Sequence, residues 1–358
     1  MKHSIKTLAA AGVALGLLAG VADARTYRLT IAAGQVPKAL PNLGMIPSFF
    51  VPEVEKRIKA AGLKDNVEFR QAYAGTLLKP RAVLLGVQDG IADLGYEPTL
   101  FHPDKLPLEQ VSFAAPFCTD NVLTISKVMD KLHREVPEMR AQYDKFNVIR
   151  LAGGSFDSYQ LFTSFPVKQL SDINGRKIGS TGAILQWLRG VGVTSIDSNM
   201  MEYYNSTKTG VYDGFIIFHS ASPAMKYPEA APYVTDVNFG AMYAAALIAN
   251  KASMARLPKE IQKIITEVGA EWGPQGDKAY ANAGSRGLAT SKEMFKSANF
   301  SSFPDAERAK WAKAMPNIAK EWAARADKDG LPGTKVLQAY MDGLRAEGVT
   351  CMRQWDKE

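Results

Sequence analysis

His219 and Ser220 stand side by side, and with a carboxylate from elsewhere in the chain they would supply the base and the nucleophile of a hydrolytic triad. Chance His-Ser neighbours are common, and the other marks of catalysis are incomplete. Lys208-Thr209-Gly210 matches one element of a serine acyl-enzyme signature, but no Ser-x-x-Lys occurs after residue 24. Gly153-Gly154-Ser155-Phe156-Asp157 falls short of a nucleophile elbow, because Asp157 fills the last glycine position. Phosphate loops and GxGxxG turns are absent. His102, His133 and His219 lie far apart without HxxxH or CxxC spacing, so neither a metal nor another cofactor is expected. Binding without chemistry is the reading these residues favour, and a secreted hydrolase built on His219 is the alternative from a different class.

The first residues, MKHSIKTLAAAGVALGLLAGVADA, open with Lys2, His3 and Lys6, run through an uncharged apolar stretch and end in Ala22-Asp23-Ala24. That is the layout of a secretory signal peptide over 1–24, with the mature chain starting at Arg25. The apolar run from Leu8 to Val21 is shorter than the roughly 20 residues a membrane-crossing helix needs, so a periplasmic protein is expected. In an oxidising compartment Cys118 and Cys351 can pair, or stay two buried thiols; sequence gives no distance between them. The net charge is +7, but basic and acidic residues alternate, as in "EVEKRIK", and no basic run carries aromatics. Solvated helix faces explain that pattern, and no nucleic-acid partner is expected.

The chain has 358 residues, 46% of them hydrophobic, enough for about two domains. Short strand-like runs alternate with helical patterns, as an α/β protein with parallel pairing requires. "TYRLTIAAG" reads as the first strand. Pro52 starts a helix with Val54, Ile58 and Ala61 on one face and Gly62 at its end. Val67, Phe69 and Tyr73 mark the next strand, Pro80 opens a helix that Gly90 ends, and "IADLGY" follows as a buried strand. A long amphipathic stretch from Asn121 to Phe146 leads to the strand "NVIRLAGGSF", where the first crossing between domains is placed. "GRKIGST", "VTSID" and "YDGFIIF" read as strands of a second series, with helices at "GAILQWLRGVG" and "MMEYYNSTKTG". From Pro258 onward the pattern is helical, broken at Gly273-Pro274, Pro304 and Leu331-Pro332-Gly333.

At Asn174 to Thr181, Met200 to Gly214 and Asn250 to Val268 the sequence resembles the substrate-binding subunits of tripartite ATP-independent periplasmic (TRAP) transporters, and the similarity covers Tyr27 to Trp272. Asp172, Gly175, Lys177 and Ile178 match one family pattern. Glu202, Tyr204, Gly210, Asp213 and Gly214 match a second, and Asn250, Lys251, Leu257, Pro258 and Glu260 a third. The resemblance implies a two-lobed periplasmic solute-binding protein of α/β class, a Venus flytrap with mixed sheets and long connecting helices. Lobe I is expected over 25–151 plus 239–283, lobe II over 152–238 plus 284–330, and a C-terminal extension over 331–358. A small-molecule ligand would lie between the lobes of a monomer and pass to membrane permease subunits. A periplasmic sensor module is a further alternative.

The family's main ligand contact is an arginine that pairs with a substrate carboxylate, and Gly179 stands at that position. A second family arginine falls near Phe156 to Tyr159, where the chain has Asp157 and Ser158. Met200 replaces the usual aromatic before the glutamate, and Ile217 a polar residue. With the positive fork gone, a small amine or amino alcohol of the ethanolamine type is the favoured ligand. Asp157 would pair with its ammonium group, with Glu97 as a second carboxylate, and Phe156, Tyr159, Tyr96 or Phe215 would offer π-faces worth about 0.5 to 2 kcal/mol each. Gln35, just past the first strand, completes the candidate ligand contacts. The alternative is an organic acid held by Arg81 or Arg176. Alternation along the strand sets Arg176 on the face opposite Gly179.

Overall fold

A computed structural model describes residues 24–358; the segment read as a signal peptide lies outside the described residues but for Ala24. Two sheets form two lobes. The strands of the first are β1 (Thr26–Ala32), β2 (Asn66–Ala72), β3 (Leu94–Pro98) and β4 (Val148–Phe156), joined by the much later β10 (Met242–Asn250). The order is β2-β1-β3-β10-β4, with β1 parallel to both neighbours and β10 antiparallel to both of its own. The second sheet holds β5 (Tyr159–Thr163), β6 (Lys177–Ser180), β7 (Thr194–Asp197), β8 (Gly214–Phe218), β9 (Tyr233–Asp236) and β11 (Asn299–Ser302), in the order β11-β9-β5-β8-β6-β7. Strands β3, β5, β8 and β10 are buried along their whole length, as sheet strands covered on both faces must be. No helix among the described residues is long and apolar enough to cross a membrane.

The chain crosses between the lobes at matched places. Strand β4 stays paired to β10 as far as Phe156. Beside it the return segment from β9 to β10 bonds Phe239 N–H to the Tyr159 carbonyl and Tyr159 N–H to the Gly240 carbonyl. The third crossing follows the helix Lys259–Tyr280. Gly273-Pro274, read above as a break, lies inside that helix. Gly273 is there for close approach: a Cβ on it would lie 2.7 Å from the Gly153 carbonyl oxygen of β4, so the helix rests directly on the strand. Elsewhere Pro137 divides the stretch 121–146 into two helices, and the segment "GAILQWLRGVG" forms a 3-10 helix over Gly182–Leu188. Ala61 is exposed, while Val54 and Ile58 are buried as the periodicity requires.

The C-terminal part ties the lobes together again. Helix Asp305–Ala314 sets Trp311 against lobe II, its indole N–H donating to the Trp187 carbonyl. Helix Ile318–Lys328 touches both lobes: Trp322 donates to the Pro107 carbonyl, and Glu321 pairs with Arg189. Helix Gly333–Ala346 packs on lobe I, and a Cys118–Cys351 disulfide fixes the tail there, deciding the pairing that sequence left open.

Asp277, on the connecting helix, is pushed up to about 7 by burial, although it accepts the Ser155 N–H at 3.0 Å and a bond from Ser126. A folded-state value raised above the unfolded one favours folding most at pH values below about 4, and that contribution fades as pH rises through about 7. The urea midpoint is therefore expected to fall between pH 5 and pH 8, and Asp277→Asn to flatten that fall. Parallel pH profiles for the two proteins would refute the assignment.

Candidate ligand-binding site

The lobes meet over a cavity of about 30 Å³. From lobe I it is lined by Gln35, Leu40, Pro98, Leu100 and Phe101, from the crossing by Phe156 and Tyr159, and from lobe II by Thr181, Met200, Tyr203, Ile217 and Phe218. These positions follow from the strand ends. Gln35 lies past β1, Pro98 ends β3, Phe156 ends β4, and Ile217 and Phe218 end β8, so the cavity sits in the crevice where open α/β sheets bind ligands. The lobes are closed: a Cβ on Gly182 of lobe II would lie 1.9 Å from the Leu100 carbonyl oxygen of lobe I. At about 30 Å³ the closed cleft holds little more than a water molecule, so an organic solute enters with the lobes parted, and closing on it requires side chains of the lining to move aside.

Five of the ten residues expected at the site line this cavity: Gln35, Phe156, Tyr159, Met200 and Ile217. Tyr96 is placed in the lobe I core, its hydroxyl on Asn42 Oδ1 at 2.8 Å and its ring edge-on to Trp272. Phe215 is stacked between Phe162 and Tyr203, behind the cavity wall. Gly179 leaves no gap where the family's guanidinium would stand, because the Tyr212 ring fills it; a Cβ there would lie 2.8 Å from Tyr212 Cζ. Arg176 is exposed and lies over the Phe165 ring at 4.1 Å, away from the cleft.

Neither candidate carboxylate reaches the cavity. Asp157 follows Phe156 and so turns to the opposite side, where it lines a groove of about 730 Å³ behind the crossings. There it accepts the Ser220 N–H at 3.1 Å and the Ser220 hydroxyl at 2.6 Å, while burial raises its pKa. Glu97 is wholly buried beneath the helix Val83–Gln88. Burial pushes its carboxyl well above the usual range, and its neighbour His102, 3.5 Å away, is pushed down to about 4. An ammonium group in the cavity would therefore meet no acidic side chain among the described residues, which removes the physical ground for the Asp157 pairing.

The hydrolytic arrangement does not assemble either. His219 Nε2 lies 2.7 Å from Asp236, whereas the Ser220 hydroxyl is taken by Asp157. His133 belongs to a third pair, with Glu109 at 3.0 Å.

One charged residue in contact with the cavity's lining is Arg81, weighed above only as a replacement. Its guanidinium lies over the Phe101 ring at 5.1 Å, and its Nη2 donates to Thr181 Oγ1 at 3.4 Å, to Asp197 at 2.6 Å and to the Ser198 carbonyl at 3.2 Å. Phe101 and Thr181 both line the cavity, so Arg81, paired with Asp197, touches its lining from outside and bridges the lobes. Two buried polar atoms of the lining lack partners: Gln35 Oε1 and the Tyr203 hydroxyl. Tyr203, Thr181 and Phe101 escaped the reading of the sequence. The signal for Tyr203 was its place between two matched residues, yet those neighbours serve the scaffold: Glu202 accepts from Ser198, and Tyr204 donates to Glu229 on the surface.

Comparison with known proteins agrees with this geometry. The model of bacterial extracellular solute-binding protein family 7 (DctP) matches residues 53–326. Among solved structures, an extracytoplasmic solute receptor of Bordetella pertussis binding pyroglutamic acid, DctP7, superposes with a TM-score of 0.76 at 21% identity, covering 88% of this chain and 99% of its own. The periplasmic ectoine-binding protein of the TeaABC TRAP transporter of Halomonas elongata gives 0.75 at 15% identity, covering 89% and 100%. A TRAP solute-binding protein from Rhodoferax ferrireducens in complex with copurified benzoate gives 0.74 at 17%, covering 90% and 98%. With three-quarters of its length matched by the family model and its cavity lying between two closed lobes, this chain belongs to the bacterial extracellular solute-binding proteins of family 7 (DctP).

Proposed function

We propose that the chain, exported by its N-terminal segment, captures a small organic acid with a largely apolar body and delivers it to TRAP permease subunits. The observation that carries this reading is Arg81 in contact with Phe101 and Thr181 of a cavity whose walls are apolar or neutral. Its present partner Asp197 is about half exposed, so giving up that pair costs at most about 1 kcal/mol, and water can solvate the released carboxylate. A ligand carboxylate taking its place would form a charge-assisted bond across both lobes and so favour the closed state. Tyr203 and Gln35 supply a donor and an acceptor for a second polar group on the solute. Of the three similar proteins described above, two hold benzoate and pyroglutamic acid, and the third binds ectoine, a zwitterion that also carries a carboxylate.

Titration calorimetry with benzoate, pyroglutamate, benzylamine and ethanolamine tests the reading. Acids are expected to bind and amines not. Arg81→Ala is expected to weaken acid binding at least about 30-fold, the loss of about 2 kcal/mol typical of breaking a desolvated charge pair. Tight binding of an amine that Asp157→Asn abolishes would reverse the assignment.

A further inference from the structure

The central cleft is shut on a space far smaller than an organic solute, so part of its lining must give way when a solute is held there. The five aromatic side chains of the lining are not equally free to do so. Phe156 packs against Phe218 and Tyr280 with ring centroids 5.1 and 5.5 Å away, and Tyr159 meets Phe113, Trp187 and Phe218 edge-on. Tyr203 is stacked on Phe215 at 4.7 Å. These four rings hold one another in place, as close-packed interiors do. For Phe101 the contact on its ring is the Arg81 guanidinium at 5.1 Å, and no second aromatic ring pairs with it among the described residues. Phe101 is also the most exposed of the five, at 8% against 3% for Phe156, the next. It ends the short 3-10 turn Thr99–Phe101, and the Arg81 side chain that covers it is 41% exposed, so the ring lies one side chain away from solvent.

We propose that Phe101 is the specificity-determining plug of the cleft: its ring fills the place of the solute's apolar body while the receptor is empty and turns out toward the rim when the solute enters. The inference rests on the reading of the cleft as a site for organic acids with an apolar body. Because Phe101 lines the residual cavity, the space it vacates is continuous with that cavity. Arg81 lies on the ring, so drawing its guanidinium to a ligand carboxylate uncovers Phe101, and clamp and plug respond together. Displacing the ring forfeits its packing contacts whatever the ligand is, and only a body of about ring size restores them. An acid without such a body leaves a void in the closed cleft and is selected against.

Calorimetry on the full mature chain tests this with benzoate and with benzene, an uncharged probe that an apolar space of ring size takes up. Phe101→Ala is expected to bind each of them at least tenfold more tightly than the wild type does. Phe101→Leu, which loses less packing, is expected to move both affinities in the same direction. A ring that only walls the cleft would lose contact with the ligand on truncation, and benzoate would bind more weakly. Adding Ile217→Phe to Phe101→Ala refills the space from lobe II and is expected to cancel the gain for benzene with circular dichroism unchanged. Benzoate that binds none of these proteins, beside a benzene gain that Ile217→Phe cancels, would refute the acid reading and leave the plug standing. Benzoate bound equally or more weakly by both Phe101 variants, no gain for benzene, or a benzene gain that survives Ile217→Phe would overturn the plug.

Discussion

Gly182→Ala is expected to leave the chain folded and to weaken solute capture in the central cleft by about two orders of magnitude or more. The added Cβ would lie 1.9 Å from the Leu100 carbonyl oxygen and 2.8 Å from its carbon, both backbone atoms of the opposite lobe that cannot rotate aside. Gly182 also has φ +50, where a side chain is strained by about 1 kcal/mol or more. The clash with Leu100 exists only when the lobes are together, so it penalises the closed state and spares the open one. Each 1.4 kcal/mol of that penalty lowers affinity about tenfold. Calorimetry with a cleft ligand, combined with the radius of gyration from solution scattering, checks this: the variant should bind weakly and stay extended. A variant that binds and contracts normally would show that the lobes close along another path.

Cutting the Cys118–Cys351 bond is expected to have the largest effect on stability. The bond closes a loop spanning 233 positions, and cross-links of that reach stabilise by about 3–5 kcal/mol, chiefly by restricting the unfolded chain. Cys351→Ser should lower the urea midpoint accordingly and leave ligand affinity nearly unchanged, because the tail docks on lobe I away from the cleft. The folded tail has other anchors, with Trp355 donating to the Pro116 carbonyl and Arg353 to the Met315 carbonyl. A loss below about 1 kcal/mol would mean that these anchors alone hold it.

The architecture was readable because it rests on local rules. Buried strands such as "GFIIF" and helix starts such as Pro80 announce themselves in composition and spacing. The family resemblance was readable for a related reason: its matched residues hold the frame. Asn250 caps a helix through the Ser253 N–H and ties down the Val87 carbonyl, and Asp213 accepts the Lys177 N–H. The ligand site was less legible, because it depends on which side of a strand end faces the other lobe. Asp157 and Phe156 are adjacent in sequence yet face separate cavities. Gly179 suggested a vacant position, but its volume is claimed by Tyr212, 33 residues later, a contact no spacing rule reveals. Gly273-Pro274 looked like a helix end and proved to be where a helix rests on a strand.

Strand β10 sits between β3 and β4, yet it follows them by most of a lobe's length in the chain. As the chain grows from its N-terminus, the leading part therefore emerges with an unzipped seam, two hydrogen-bonding edges awaiting a strand not yet made. Closure of the first sheet must wait until five of the six strands of the second have been made, and until then those edges stay open to joining a neighbour.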